Sequence, residues 1–537
     1  MNKYQNSSKF HQLAKYSRTW LTYSQITGRK AKKEDILKNI QSINLTEALT
    51  ILAKYSVLNE EGKNHLMQQL KPLIINKDFI KVTEPLDVMN LLYSVKWFLA
   101  YGTENPKETF NNQYNNSFNV FLTVLKITDY IADSLDDIND INAENYVLKS
   151  WLFNRPGEID RALIRQHLMF QKLARIEENF EDFVDIHSFF EEEYGFTIKE
   201  YVSTLFAIHQ PSIEELGYTD VISNGTWGIN ETAFFNSLKT KQTSINITNE
   251  LVADLKKLKK WAKESLNNPF DYEKLLVTPL FKSGNFLVPF SPGFLNSTIF
   301  DGLCFKLHYC CTKRKKSFFS FFGRLFEQYV SQVLSIAVDS AKKVNYTFID
   351  EFIFDPDGQK KSSDAYVLLG KSLLIFECKG GRLRKETKID ADPEITEEDY
   401  MKYALEPVTQ ANTAYSRILK KIPEKFKDVN KVYILSVSIQ AFPRVPKYNE
   451  TLAKIANELH PHVKEIDYIG LSDLELLAYI INNHDFSLFK FIKTKKVLYD
   501  YIPYPNYYYK KYGEIKRTDY LNDILKECFD EIRSTLF

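Results

Sequence analysis

Two apolar segments on either side of Gly370-Lys371 constrain the fold of this chain more than any other feature. Both have the length and residue types of β-strands, and we predict strands over Asp364–Leu369 and Ser372–Lys379. A glycine followed by a polar residue favours a two-residue type II′ turn. The segment therefore predicts a tight antiparallel hairpin whose turn fixes the register of the two strands along their whole length.

This register places two acidic side chains opposite each other at the open end of the hairpin. Asp364 opposes Glu377, and opposed Cβ atoms in such a ladder lie about 4.5–5.5 Å apart. Lys379 projects from the same face as Glu377, and Cys378 projects from the other face as a buried thiol. Carboxylates at that separation repel each other unless a proton or a cation lies between them.

The alternative is a surface hairpin whose charged side chains face solvent. Four consecutive apolar residues, 373–376, precede Glu377 and favour a central strand that is buried on both faces. An acidic pair without a partner at the end of such a strand would be costly. The pattern therefore favours a site for a divalent cation over the surface hairpin.

The spacing of these residues resembles the signature of the PD-(D/E)XK, or restriction-endonuclease-like, nuclease superfamily. Asp364 is followed, after twelve intervening residues, by the Glu-Cys-Lys tripeptide 377–379. Ser363 stands where the family usually has a proline. The resemblance covers about residues 320–440, and it implies an α/β nuclease domain that hydrolyses phosphodiester bonds.

The resemblance also implies a metal ion and its ligands. Mg²⁺, with Mn²⁺ as a substitute, would be held by Asp364, Glu377 and the carbonyl group of Cys378. A helix that opens at Gly323 resembles the leading helix of the family, whose acid often joins the metal shell. Here that acid is Glu327.

Two further residues would complete the catalytic set that the resemblance implies. Lys379 would position or deprotonate the attacking water, or stabilise the charge that develops on the phosphate. Gln410 resembles the glutamine of the QxxxY motif on the helix after the hairpin. The expected tyrosine position holds Ala414, and Tyr415 follows one residue later.

Two basic clusters flank the motif in sequence. Each could neutralise phosphates without reading bases, and each could equally be a solvated loop. Gly380 and Gly381, between the motif and the first cluster, allow a backbone to approach closely. The aromatic residues at 318, 319, 321 and 322 are expected in the core. The clusters consist of Arg382, Arg384, Lys385 and Lys388 after the motif, and Lys313, Arg314, Lys315 and Lys316 before the leading helix.

The remaining sequence predicts two domains. Apolar residues recur at helical spacing through 1–268, which contains a turn-rich connecting segment at about 209–248. Strands and helices alternate through 269–537. The predicted fold class is therefore α+α/β, with a mostly helical N-terminal domain followed by a restriction-endonuclease-like α/β nuclease domain with a mixed central sheet.

The composition of the chain restricts its expected cellular location. The 537 residues contain no apolar run of about 18 residues, so we expect no membrane span, and residues 1–18 carry no apolar leader. Five cysteines are too few for a disulfide framework and favour a cytoplasmic protein. The net charge of +1 means that nucleic-acid binding has to depend on local sites.

Three functions remain open on the sequence alone. The first is a Mg²⁺-dependent DNA endonuclease. Its helical N-terminal domain would act as a sensor, bind a partner protein, form a homo-oligomer or position DNA, as in stand-alone bacterial anti-phage defence nucleases. The second is the same chemistry on RNA. The third is a protein that binds nucleic acid or assembles through a nuclease fold without cutting, although a complete Asp, Glu and Lys set argues against this alternative.

Overall fold

The computed structural model describes most of the chain. The described residues are 19–75, 83–106, 116–136, 158–176, 182–222, 227–355, 357–442 and 444–537. The expectation that residues 1–18 carry no leader lies outside them. Within the described ranges, no helix combines the length and the apolar character needed to cross a bilayer.

A five-stranded mixed sheet forms the centre of the C-terminal part. In chain order its strands are β1 (Thr347–Asp350), β2 (Ala365–Leu369), β3 (Ser372–Lys379), β4 (Lys431–Ser438) and β5 (Val463–Gly470). Across the sheet they follow the order β5-β4-β3-β2-β1. Strands β3, β4 and β5 are parallel, whereas β2 runs antiparallel to both β3 and β1. The predicted combination of helices with a mixed sheet is confirmed at this level.

The β2–β3 hairpin has the predicted register. Ser372 pairs with Leu369 and Phe376 pairs with Ala365, so two residues form the turn. The first of them, Gly370, has a φ of 57°, a conformation that glycine adopts more easily than any other residue. The next position along this ladder is the one that holds the two predicted acids.

Helices cover both faces of β3. Helix α1 (Phe318–Asp339) packs on one face and helix α2 (Glu406–Lys421) packs on the other. Alternate residues of the strand join the two layers, which explains why the strand is apolar without interruption. The α1 side buries Leu374, Phe376 and Cys378, and the α2 side buries Leu373 and Ile375.

The rest of the C-terminal part surrounds this sheet. A second short hairpin, Ile353–Asp355 with Lys360–Lys361, lies between β1 and β2 in sequence. A π-helical turn, Met401–Leu405, leads directly into α2. The other helices of this part include Pro292–Ser297, Leu303–Lys313, Pro393–Tyr400, Pro446–Ala456, α3 (Leu471–Asn483), Leu488–Tyr499, Tyr504–Tyr512 and Asp519–Leu536.

The N-terminal part is helical apart from short strand pairs. Its helices include Tyr23–Thr27, Lys33–Gln41, Leu45–Tyr55, Glu60–Gln69, Val88–Tyr101, Asn116–Asp136, Ile159–Gln166, Ile186–Tyr194, Ile198–His209 and Leu255–Glu264. The strand Ile229–Asn230 joins Leu280–Ser283 and Phe286–Pro289 in a three-stranded sheet.

The segment 209–248 contains more regular structure than its turn-rich composition predicts. Helices Tyr218–Ile222 and Glu231–Asn236 lie within it, and helix Lys241–Leu251 begins there. The polar residues that suggest a loop serve in part as helix caps, because Asn230 accepts a hydrogen bond from the backbone of Ala233. Residues 223–226 of this segment lie outside the described ranges.

Core packing joins the two halves of the chain. One core combines helices between 159 and 251 with α1, α3 and the C-terminal helix, and another combines helices between 21 and 131 with the strands at 280–289. A buried cluster of three polar side chains links the helices of the first core. Arg165 Nε lies 2.7 Å from Glu475 of α3, and the hydroxyl of Tyr329 of α1 donates to the same carboxylate at 2.8 Å. The division at 268 stays a prediction.

Candidate active site at the open end of the hairpin

The hairpin brings the two predicted acids together. Asp364 and Glu377 lie one position beyond the last ladder pair, which joins Ala365 to Phe376. The backbone N–H of Cys378 donates to Oδ2 of Asp364 at 2.6 Å. This bond connects the start of β2 to the end of β3, so the two carboxylates lie at the same end of the sheet.

Burial and mutual repulsion raise the pKa values of these acids. Burial raises the pKa of Asp364 well above its ordinary value, and the charges of Glu377 and Glu327 raise it further. Burial also raises the pKa of Glu377 to about 7, against the attraction of the Lys379 ammonium group. Burial is likewise the main cause of the raised pKa of Glu327. Each of these acids therefore holds its proton more tightly than an exposed carboxyl group does, because burial and the neighbouring charges disfavour the ionised form.

Helix α1 supplies the third acid, as the resemblance implies. Glu327 is close enough to raise the pKa of both hairpin acids. Its carboxylate lies 3.2 Å from Nη1 of Arg324, one turn earlier on the same helix. A local ion pair therefore orients this acid beside the hairpin.

A fourth acid, Glu351, was not singled out in the sequence. It follows β1, and its charge raises the pKa of Asp364, Glu377 and Glu327. The ammonium group of Lys361 lies 2.8 Å from the carboxylate of Glu351 and neutralises part of its charge. Because β1 runs antiparallel to β2, the end of β1 lies beside the start of β2. The strand-like segment 346–354, which contains this acid and precedes the hairpin, was the signal that could have identified it.

Lys379 lies on the acidic side of the strand end. Its ammonium group attracts the charge of Glu377 and opposes the effect of burial on that carboxyl group. The backbone of Lys379 pairs with Ser438 in the ladder between β3 and β4, but among the described residues its side chain makes no hydrogen bond or ion pair. The cation is therefore available to a third charged group, such as a phosphate.

Two glycines hold the end of β3 against its neighbours. A Cβ atom on Gly380 would lie 3.0 Å from Cα of Gly323 in α1. A Cβ atom on Gly381 would lie 2.4 Å from the ring of Tyr403. The close approach expected at this pair of glycines is thus made by the backbone of α1 and the ring of Tyr403. The contact with Gly323 packs α1 against the strand one turn before Glu327.

A pocket of about 450 Å³ opens beside Glu377. Gln410 and Ala414 of α2 lie in its wall, so the predicted amide lines the same pocket as Glu377. Tyr415 is buried instead, and its hydroxyl lies 3.0 Å from Nδ1 of His462. The other lining residues are Phe354, Lys360, Lys361, Ser362, Met401, Leu405, Glu406, Thr409, Thr413, Arg417 and Ile455.

Two members of the first basic cluster are buried in the loop after β3. The side chain of Arg382 is 5% exposed and forms an ion pair with Asp301. Burial lowers the pKa of Lys388 to about 8, although the charge of Asp301 opposes the shift. A guanidinium group enclosed in this way stabilises the loop and does not face a phosphate. The structure thus places Arg382 in a buried ion pair with Asp301, and its expected phosphate contact stays a prediction.

The other two members of this cluster are exposed but paired. Nε of Arg384 lies 2.8 Å from Asp399, and its backbone N–H donates to the same carboxylate at 2.9 Å. Lys385 forms an ion pair with Glu273. These contacts fold the loop onto its surroundings, a role that proximity in sequence did not indicate.

The second basic cluster divides in two. Lys313 and Arg314 form ion pairs of 2.7 and 2.9 Å with acidic residues of helix Ile186–Tyr194. Lys315 and Lys316 are exposed and, among the described residues, have no ion-pair partner. Only this second pair presents free positive charge at the surface.

The donor groups at the hairpin suit a hard divalent cation. Two carboxylates with a carbonyl group and water are a typical Mg²⁺ environment, and a cation would relieve the repulsion that raises the pKa values of Asp364 and Glu377. No group of three or more His, Cys, Asp or Glu side chains is already arranged to hold a metal ion within the described ranges. The fit therefore depends on the two acids, with water completing the coordination.

Comparison with known proteins gives no assignment, because no family model, curated protein or solved structure matches the chain. The candidate site therefore depends on its own residues and their geometry.

Proposed function

We propose that this protein is a metal-dependent nuclease that hydrolyses phosphodiester bonds, with DNA as its first expected substrate. The observation that carries the proposal is that the hairpin register places Asp364 and Glu377 together at the end of β3, with Asp364 bonded to the backbone N–H of Cys378 and with the ammonium group of Lys379 attracting the charge of Glu377. Buried acids that repel each other are costly to a fold and suit a site that binds a cation.

Three residues of this chain would hold Mg²⁺ or Mn²⁺: Asp364, Glu377 and, through its carbonyl group, Cys378. Glu327 would support them from α1. A bound Mg²⁺ supplies Lewis-acid polarisation of a phosphate oxygen and neutralises part of its charge.

The remaining groups act on the substrate and on water. Lys379 would place its positive charge on the phosphate as negative charge accumulates there, an interaction that strengthens in the transition state. Gln410, in the wall of the pocket beside Glu377, would orient the substrate strand through its amide group.

The proposal is tested by digestion of plasmid DNA, linear duplex DNA and single-stranded DNA with Mg²⁺. We expect cleavage by the wild-type protein, loss of cleavage in Glu377→Gln and in Lys379→Ala, and loss on addition of a chelator. Glu424→Gln and Lys427→Ala are matched controls, because these residues form an exposed ion pair that is not part of the candidate site. Cleavage that persists in both site variants would reject the proposal.

The second candidate is a protein that binds nucleic acid without cutting it. The lack of a ready-made three-ligand metal group among the described residues favours it. Calorimetry separates the two candidates, since a non-cleaving protein would take up neither Mn²⁺ nor Mg²⁺ at the hairpin. An RNA substrate is examined in the same digestion by replacing the plasmid with RNA.

The biological setting that we propose is phage defence, in which the helical N-terminal part would respond to a trigger or a partner. A phage-plating assay tests this setting. A strain carrying Asp364→Ala should lose protection, and full protection by that strain would contradict a role for cleavage in defence.

A further inference from the structure

We infer that the substrate is single-stranded nucleic acid, bound on an exposed aromatic surface that adjoins the acids. This inference rests on the proposed nuclease function and narrows its substrate class. The aromatic surface consists of Phe305, Tyr309 and Phe319, together with the two free cations Lys315 and Lys316.

Three large rings on this surface are unusually open to solvent. Phe305, Tyr309 and Phe319 are 53%, 54% and 46% exposed. The expectation that Phe319 lies in the core was therefore wrong, whereas Phe318, Phe321 and Phe322 are buried. Phe305 and Tyr309 are one turn apart on helix Leu303–Lys313 and therefore share a face. The ring of His308 lies 4.5 Å from that of Phe319, centroid to centroid, and connects this helix to the start of α1. The surface is thus continuous across two helices.

The aromatic surface leads to the acid cluster by two routes. Along α1, Phe319 lies one turn before Gly323 and two turns before Glu327, about 12 Å along the helix axis at 1.5 Å per residue. On the side of the loop, the ring of Phe305 lies 5.5 Å from the guanidinium group of Arg382, three residues after Lys379. A strand that lay on these rings would reach the candidate active site within a few nucleotides.

Free positive charge lies at the same surface. Lys315 and Lys316 are exposed between the two helices, whereas Lys313 and Arg314 just before them are neutralised by acids. Cations that attract the phosphate backbone, combined with rings that stack on bases, are the usual means of binding single strands without sequence preference. Exposed aromatics also occur at protein interfaces. The proximity of the cations and the acids favours nucleic acid here.

The pocket on the other side of Glu377 agrees with an unstacked substrate. Its volume of about 450 Å³ lies within the range of small-molecule sites. Apolar residues Met401 and Leu405 and the cation Arg417 line it, which suits a base with its phosphate. Bases inside a duplex are stacked and paired, so they reach neither such a pocket nor exposed rings without being extruded.

The test is fluorescence anisotropy with labelled oligothymidylate, alone or annealed to oligoadenylate, in the presence of a chelator so that nothing is cleaved. We expect the full-length protein to bind the single strand more tightly than the duplex. Phe305→Ala, Tyr309→Ala and Phe319→Ala should each weaken single-strand binding about tenfold. Phe319→Trp should retain it, because a ring remains. Tyr509→Ala is the matched control, since Tyr509 is 67% exposed on another helix.

Equal affinity for the duplex and the single strand, or full binding by the alanine variants, would overturn the inference. If the alanine variants still bind the single strand but no longer bind a protein that the wild type binds, the surface is a protein-docking site instead. Digestion with Mg²⁺ is scored separately. A protein that binds single strands here but cuts nothing contradicts the nuclease proposal alone. One that cuts duplexes and single strands equally, with the alanine variants unaffected, contradicts the single-strand inference alone.

Discussion

Gly380 at the end of β3 and Gly323 in α1 contact each other through their backbones. A Cβ atom on Gly380 would lie 3.0 Å from Cα of Gly323, whereas a Cβ atom on Gly323 would meet nothing within 4 Å. The contact sets the height of α1 relative to the strand, and Glu327 follows one turn later. The position of the third acid therefore depends on a glycine that has no chemistry of its own.

Gly380→Ala should separate the helix from the strand by a few tenths of an ångström. We expect the free energy of unfolding to fall by about 1–3 kcal/mol, the usual effect of overpacking. We also expect the rate of cleavage to fall, because Glu327 shifts. Gly323→Ala is the matched control and should stabilise the protein by about 0.5–1 kcal/mol, since alanine suits a helix interior better. Chemical denaturation and DNA digestion measure both variants, and equal stability would contradict this account.

Glu377→Gln should stabilise the protein at alkaline pH while removing its activity. The folded pKa of about 7 lies above the ordinary glutamate value of about 4.3, so the folded state binds more protons between these limits. The contribution of the Glu377 carboxyl group to the stability of the fold is therefore present at pH 4 and is lost as the pH rises through 7. Without metal, we expect the variant to exceed wild type by about 1–3 kcal/mol at pH 8 and to equal it at pH 4.

Thermal unfolding at the two pH values measures this effect. Glu514→Gln, which alters an exposed carboxyl group, serves as the control and should change stability at neither pH. A variant that is less stable than wild type at pH 8 would mean that the charged form of Glu377 is already well paired in the free protein.

Mg²⁺ should bind more tightly as the pH rises through neutrality, because its carboxylate ligands must first lose their protons. At a concentration one hundred times its dissociation constant, Mg²⁺ should stabilise wild type by about 2.7 kcal/mol and should leave Asp364→Asn unchanged. Melting curves with and without Mg²⁺ at pH 6 and pH 8 test this expectation. An equal shift in the variant would place the metal elsewhere.

Lys379→Met should slow cleavage by about 10²–10³-fold, as removal of a single transition-state contact does. Because Lys379 lowers the pKa of Glu377, its loss should also move the midpoint of the pH–rate profile upwards. Single-turnover digestion across a pH series measures both quantities. A slower reaction with an unmoved midpoint would show that the lysine acts on the substrate alone.

Arg382→Gln should act on folding and not on the affinity for nucleic acid. Breaking its ion pair leaves Asp301, which is 32% exposed, with only the weaker attraction of Lys388 and Arg165, and this costs about 1–3 kcal/mol. Lys316→Ala, an exposed change, should cost less than about 0.5 kcal/mol but should reduce the dependence of binding on salt. Denaturation and salt titrations compare the two variants, and the opposite pattern would return Arg382 to the phosphate-binding group.

Local sequence was enough to predict the hairpin, because a two-residue turn determines every pair along its strands. It also predicted the bounds of β3 and the face on which Cys378 is buried. Strand β5 was missed. Its residues Lys464, Glu465 and Asp467 give it a polar composition that is unusual for a strand. Arg444 lies 2.7 Å from the carboxylate of Asp467, a pairing that only the folded chain reveals.

The basic clusters were harder to interpret for the same reason. A run of cations in sequence predicts free positive charge only where no acid is folded against it. Lys313 meets Glu193, which is 120 residues away, and Lys385 meets Glu273, which is 112 residues away. No local pattern marks such partners, so only Lys315 and Lys316 keep the availability that the sequence suggested.

The buried group of Arg165, Glu475 and Tyr329 limits how this chain could be taken apart. Its arginine comes from the N-terminal half and its other two members come from helices around the sheet. A gene fragment that began at residue 269 would encode a sheet without part of its own interior and with an unpaired buried carboxylate. Exchange of the half that contains the sheet would therefore have to carry the helices from about residue 158 with it, so the smallest unit that proteins could exchange is larger than the hairpin motif suggests.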